Sequence, residues 1–140
     1  MYVLLDGSQA RPTLVSHDRL ELPAKCSWPG ALSWVRKQVD EIVEAHAPSH
    51  ACIKTIEPIA RRKSTERIQI EAIIQEYLYT RRRIECLRAN KSQLKRAIPS
   101  FTEPARYLER IVEMHGNMAP LNTPFLHEAA AAALSLLPEA

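Results

Sequence analysis

ACIKTIE, residues 51–57, is mostly apolar and ends in a carboxylate, Glu57. Pro58 follows directly, and short apolar runs that stop at a turn-forming residue are typical of buried strands. Open α/β sheets place their chemistry at the carboxyl ends of their strands. The stretch therefore predicts a central parallel strand with Glu57 at the functional edge of the sheet.

Positive charge follows this strand. Arg61, Arg62 and Lys63 come three residues after Pro58, and basic residues clearly outnumber acidic ones from Arg61 to Arg96, although the net charge of the whole chain is only +3. Such clustering is typical either of a solvated loop or of a surface for a polyanion, and its position beside Glu57 favours phosphate contact. The predicted nucleic-acid-binding residues are Arg61, Arg62, Lys63, Arg67, Lys91, Lys95 and Arg96.

The order of elements predicts a mixed sheet. The predicted strands are residues 2–5, 12–15, 20–22, 51–57 and 83–88, and the predicted helices lie between Ser27 and Pro48, at residues 64–80, 91–98 and 102–115, and from Pro124 onward. Antiparallel strands followed by βαβ units build an α/β sheet that is covered by helices. With 140 residues, we expect a single domain that spans residues 1–140.

Composition excludes several classes of protein. With 46% hydrophobic and 25% charged residues, the chain is typical of globular proteins. It has no apolar run of the roughly 20 residues that a membrane helix needs and no signal-peptide pattern, so we expect a cytoplasmic protein without a membrane partner. The three cysteines lack CxxC spacing and are expected to be buried, reduced thiols. Motifs for nucleotide hydrolysis, dinucleotide binding, zinc proteolysis and serine hydrolysis do not occur.

Residues 50–137 resemble the RuvC-like branch of the ribonuclease H-fold superfamily, the Holliday-junction resolvases and their relatives. IEP at residues 56–58, the basic loop and STERIQIEA at residues 64–72 resemble a strand that ends in the family's catalytic glutamate and the helix that follows it. HEAAAAAL at residues 127–134 resembles the alanine-rich closing helix. The resemblance implies a ribonuclease H-like mixed sheet, with antiparallel N-terminal strands and then βαβ units, flanked by helices.

The resemblance also implies a structure-selective endonuclease that depends on Mg²⁺, with Mn²⁺ as the alternative ion. The implied partner is nucleic acid, most simply DNA. In this family carboxylates hold two ions, which activate a water and stabilise the leaving oxygen. By position, the implied catalytic residues and metal ligands are Glu57, Glu128 and Asp6. The companion carboxylate one turn before Glu128 is missing, because Phe125 stands there.

The N-terminal strands allow two alignments. In one, residues 2–6 are the family's first strand and Asp6 is its aspartate. In the other, residues 2–5 are the second strand, because residues 14–22 have the pattern of a long third strand. The first strand and its aspartate are then absent, and the site is degenerate. Each carboxylate also has a simpler interpretation: a salt bridge for Glu57, a helix-start acid for Glu128 and a turn residue for Asp6.

The helix at residues 64–80 is apolar over more than one stripe. A helix of this kind is covered on two sides, so we expect a homodimer or a partner protein to pack against it. Three functions therefore stay open: a nuclease, a catalytically degenerate binding or regulatory module, and a structural subunit.

Overall fold

The computed structural model describes residues 1–55, 64–97 and 124–139, and these fall into two compact units. The described part of the first unit is residues 1–19, 52–55, 88–97 and 124–139, and that of the second is residues 20–51 and 64–87. The predicted helix at residues 102–115 lies outside the described residues. None of the helices in the described ranges has the length and apolar character needed to cross a membrane.

The first unit begins with an antiparallel hairpin of β1 (Tyr2–Gly7) and β2 (Pro12–Asp18). Its turn requires glycine at Gly7, where φ is +94° and a Cβ would lie 2.4 Å from the carbonyl oxygen of Arg11. The predicted long strand at residues 14–22 is wrong, since β2 ends at Asp18 and residues 20–22 are in neither strand nor helix.

A second strand pair consists of β3 (Cys52–Lys54) and β4 (Leu87–Ala89). The Leu87 N–H donates to the Ala51 carbonyl and the Thr55 N–H donates to the Ala89 carbonyl, both at 2.9 Å. The bonded positions advance together along both strands, so the pair is parallel, as predicted for the strand that leads to Glu57.

The strand predicted at residues 83–88 starts later in the structure, at Leu87, and ends at Ala89. The preceding helix continues to Arg82, and Arg83 takes a left-handed conformation with φ of 56° that ends it. Ile84 is then buried against the helices of the second unit, and only Leu87 starts the strand. The first two residues of the predicted strand therefore end and cover a helix: Arg83 caps α2, and Ile84 packs on the helix pair.

The core of the first unit surrounds a short alanine-rich helix. α3 (Lys91–Ala97) and α4 (Pro124–Leu134) belong to this unit, and α4 packs on both β1 and β3. The buried core residues are Leu94, Leu126, Ala130, Ala131, Ala132 and Leu134. Because these positions occupy more than one side of α4, the helix is covered from several directions, which small alanine side chains permit. Within the described residues, β1 and β3 are not hydrogen bonded to each other.

The second unit is a helix pair of α1 (Trp28–His46) and α2 (Thr65–Arg82). Ser27 and Ser64 cap the two helices by accepting hydrogen bonds from backbone N–H groups in the first turn, which confirms both predicted starts. The buried residues between the helices are Val43, Tyr77, Leu78 and Ile84.

Tyr77 gives this helix pair a polar contact at its centre. The side chain is 1% exposed, and its hydroxyl donates a hydrogen bond to Oδ1 of Asp40 on α1. Burial, reinforced by the hydrogen bond and by the negative charges of Asp40 and Glu44, raises the pKa of Tyr77 to about 12. A tyrosine whose pKa rises on folding stabilises the fold below its unfolded pKa of about 10, and that contribution is lost as the pH rises through about 12.

Tyr77→Phe should therefore flatten the alkaline loss of stability. At neutral pH the variant should be less stable by about 1 kcal/mol, because Asp40 loses its donor. Between about pH 9 and about pH 12, the free energy of unfolding of the wild type should fall by roughly 2 kcal/mol more than that of the variant. Urea unfolding at a series of pH values measures both quantities, and parallel pH profiles for the two proteins would contradict the assignment.

Candidate functional site

Glu128 lies in the second turn of α4, and its carboxylate faces a lysine. The side chain is 48% exposed, and its Oε1 is 3.4 Å from Nζ of Lys54. Lys54 comes from β3, and only 16% of its side chain is exposed. The predicted ligand Glu128 therefore already forms an ion pair with Lys54 of β3.

Asp6 lies near the end of β1, beside the hairpin turn. It is exposed, and its Oδ1 accepts a hydrogen bond of 2.7 Å from the N–H of Gly7. This bond is local and agrees with the simpler interpretation of Asp6 as a residue beside a turn. Its proposed role as a ligand stays a prediction.

Glu57 and the basic loop, Arg61, Arg62 and Lys63, lie outside the described residues. The chain is described up to Thr55, which is still bonded to β4. Their roles as ligand and phosphate contacts therefore stay predictions as well.

The side chains that the structure describes include no group of three or more His, Cys, Asp or Glu residues arranged to hold a metal ion. Asp6 and Glu128 thus provide no complete metal site from the described ranges alone. Among those ranges, the donor set at Glu128 fits a divalent ion poorly, because an ammonium group stands beside the carboxylate.

The predicted nucleic-acid-binding residues are divided between the two units. In the second unit, Nε of Arg67 donates a hydrogen bond of 3.1 Å to Oε1 of Glu71, a carboxylate that is only 7% exposed. Arg67 is therefore tied to the helix surface and supports the buried Glu71. In the first unit, Lys91 and Arg96 are exposed on α3, and the Lys95 side chain lies outside the described set.

The sequence analysis missed Lys54. The signal was present, since Lys54 is the single charged residue between Ala51 and Ile56 in an otherwise apolar or hydroxylated stretch. A charge in the middle of a buried strand usually has a partner. Nothing in the sequence identified that partner as Glu128.

The cysteines differ in part from expectation. None of the three forms a disulfide, but Cys26 is exposed, while Cys52 and Cys86 are half-buried. Burial raises the pKa of the Cys52 thiol, which packs against the alanine-rich core. A half-buried, protonated thiol is unreactive, which supports a packing role for Cys52.

One face of α2 is exposed and partly apolar. Ile68 is 48% exposed and Tyr79 is 50% exposed, and Ala72 lies between them on the same side of the helix. Ile73, in contrast, is half-buried. We call the surface of Ile68, Ala72 and Tyr79 the outer face of α2.

Two solved structures of RuvC resemble the whole chain. The structure of T. thermophilus RuvC in complex with a Holliday junction substrate matches with a TM-score of 0.70 and 12% identity, covering 95% of this chain and 82% of RuvC. A further Thermus thermophilus RuvC structure matches with a TM-score of 0.71 and 13% identity over the same shares. No protein-family model matches the sequence, and neither does any curated protein. The chain therefore has the mixed α/β, ribonuclease H-like fold of RuvC, as the sequence resemblance implied.

Proposed function

We propose that the protein binds nucleic acid, with branched DNA as its preferred ligand. The observation that carries the proposal is the similarity of fold, over 95% of the chain, to a RuvC that was solved with a Holliday junction substrate. The positive excess between Arg61 and Arg96 supports it, because phosphate contacts supply most of the affinity for nucleic acid.

Exposed basic residues of the first unit would make part of this contact. Lys91 and Arg96 on α3 and Arg88 on β4 are all exposed. Arg67 contributes less, since its guanidinium already bonds to Glu71. The predicted basic loop at residues 61–63 supplies the remaining charge.

A binding assay with matched substrates tests the proposal. Fluorescence anisotropy is measured for a four-way junction, a linear duplex of the same length, a single strand and an RNA–DNA hybrid, with and without Mg²⁺. We expect saturable binding, tightest for the junction. If all four ligands bind no better than the non-specific range of about 10⁻⁴–10⁻⁶ M, the proposal fails.

A second candidate function is Mg²⁺-dependent, structure-selective cleavage of such DNA, with Mn²⁺ as the alternative ion. Its support is the parallel pair of β3 and β4, whose first strand leads to Glu57. Glu57, Glu128 and Asp6 would be the ligands, and the ions would supply an activated water. The carboxylates that the structure describes form no complete metal site by themselves.

Two features of the described residues support the alternative of a catalytically degenerate binding or regulatory module. β1 and β3 are not paired in the described residues, as expected if β1 is the second strand of the fold, although β2 is shorter than the long third strand that suggested this alignment. Under that alignment Asp6 is not the family's aspartate. Lys54 beside Glu128 supports the same alternative.

We also propose that a second copy of the chain covers the outer face of α2, rather than an unrelated partner protein. Ile68, Ala72 and Tyr79 form an apolar strip along the side of the helix, and exposed apolar strips of this kind commonly mark interfaces. A helix strip packs readily on its own symmetry copy, because each residue then meets an apolar counterpart.

Ile68→Asp should turn the dimer into a monomer, since it replaces the largest aliphatic side chain of the strip by a charge. Glu66→Gln, an exposed position on another side of α2, is the control and should leave the dimer intact. Sedimentation equilibrium at micromolar concentrations measures the mass. A wild type that stays monomeric at high micromolar concentration would refute the interface.

A further inference from the structure

Lys54 is a charged residue in an apolar setting. It lies on β3 next to Ile53, and its side chain is only 16% exposed. Its Nζ is 3.4 Å from Oε1 of Glu128. The lysine also precedes Glu57 by three residues, so it lies on the strand that leads to the proposed ligand.

Two packed elements hold this ion pair in place. β3 and α4 are in direct contact, and Cys52, the neighbour of Ile53, packs against the core cluster to which α4 contributes most residues. Surface ion pairs usually contribute little, because both side chains must be ordered from freely moving states. Here the contact between β3 and α4 holds the backbones of both residues close together, and only 16% of the Lys54 side chain is exposed, so this pair is less solvated than one on an open surface.

The ammonium group affects any metal at Glu128. Mg²⁺ binds carboxylate oxygen at about 2.0–2.1 Å and tolerates little distortion of its octahedral shell. An ion on Oε1 would lie close to the positive charge of Lys54, and solvent around the 48% exposed Glu128 side chain would screen only part of the repulsion at this short distance.

We propose that the ammonium group of Lys54 neutralises the carboxylate of Glu128, as a bound divalent ion would, and thereby keeps this carboxylate from binding Mg²⁺ or Mn²⁺. The inference rests on the proposed assignment of Glu128 to a ligand position of the fold.

Mn²⁺ binding to the full chain, without nucleic acid, tests the inference. Electron paramagnetic resonance counts free Mn²⁺ for the wild type, Lys54→Met, Lys54→Arg and the double variant Lys54→Met with Glu128→Gln. Lys37→Met, an exposed lysine on α1, removes the same charge elsewhere. We expect Lys54→Met to bind Mn²⁺ at least about tenfold more tightly than the wild type, Lys54→Arg and Lys37→Met.

The double variant identifies the carboxylate. If Glu128 is the carboxylate that Lys54 keeps from binding a metal, the gain in Mn²⁺ affinity should disappear in the double variant. Equal Mn²⁺ affinity of the wild type and Lys54→Met, or a gain that persists without Glu128, overturns the inference. Circular dichroism checks the fold, and Lys54→Gln replaces Lys54→Met if that variant does not fold.

The proposed function fails separately from this inference. Anisotropy with the four-way junction, with and without Mg²⁺, is run on the wild type and Lys54→Met. If the wild type does not bind the junction, while Lys54→Met binds Mn²⁺ more tightly than the wild type, nucleic-acid binding is refuted and the role of Lys54 stands. A wild type that binds the junction but shows no difference in Mn²⁺ affinity from Lys54→Met would refute the role of Lys54 and keep nucleic-acid binding.

Discussion

Joint replacement of Arg61, Arg62 and Lys63 by glutamine should weaken nucleic-acid binding by about 10²–10³-fold at about 0.1 M salt. In the sequence these three positive charges follow closely on the strand that leads to Glu57. Each phosphate contact releases close to one counterion, so loss of three contacts should make the slope of log affinity against log salt shallower by up to about 3. Anisotropy over a salt series measures both quantities.

The control for this variant is a second triple substitution with the same change in charge. Arg11, Lys25 and Lys37 are exposed and lie outside the predicted interface. Their replacement by glutamine should lower the affinity much less, since only long-range attraction is lost. Equal effects of the two triple variants would mean that the protein senses net charge and that the loop makes no specific contact.

Glu57→Gln should reduce any Mg²⁺-dependent cleavage of junction DNA by more than about 100-fold, because loss of even an outer-shell metal partner costs 10–100-fold. Glutamine keeps the size of the side chain and removes the charge that would hold the ion. Binding of the junction should persist, since the variant removes a negative charge from a surface for a polyanion. Single-turnover cleavage and anisotropy on the same preparation separate the two effects.

Glu41→Gln on α1 is the matched control for cleavage, since it makes the same chemical change at an exposed position in the second unit. Its cleavage rate should equal that of the wild type. Cleavage that survives in Glu57→Gln, after a contaminating nuclease is excluded by a mock purification, would remove Glu57 from the site. An inactive wild type in both Mg²⁺ and Mn²⁺ would support the degenerate alternative.

Local chemistry made much of the fold predictable. Ser27 and Ser64 cap helices where the sequence indicated, and Pro124 opens α4 as expected. These signals are readable because a cap depends on a hydroxyl and on N–H groups only a few residues away. The ordered set of motifs also implied the RuvC-like fold that the comparison of structures bears out.

Strand boundaries were less predictable. The run that begins at Arg83 has the composition of a strand, yet Arg83 ends α2 and Ile84 covers the helix pair. Apolar residues suit a strand and a helix cap equally well, and the choice depends on which surface is left to cover. Because α2 continues to Arg82, the residues after it cover the helix pair before the strand begins. The residue pattern alone does not predict where α2 ends.

The sequence by itself determined which residues carry charge and which segments become helices, because those properties are local. Only the tertiary structure decided that Lys54 lies against Glu128, whereas the pair of Arg67 and Glu71, four residues apart on α2, is a local contact. The first contact joins a strand and a helix far apart in the chain, and packing of β3 on α4 creates it. Whether a carboxylate holds a metal or a lysine depends on such neighbours, and this is why the sequence could name Glu128 but not its partner.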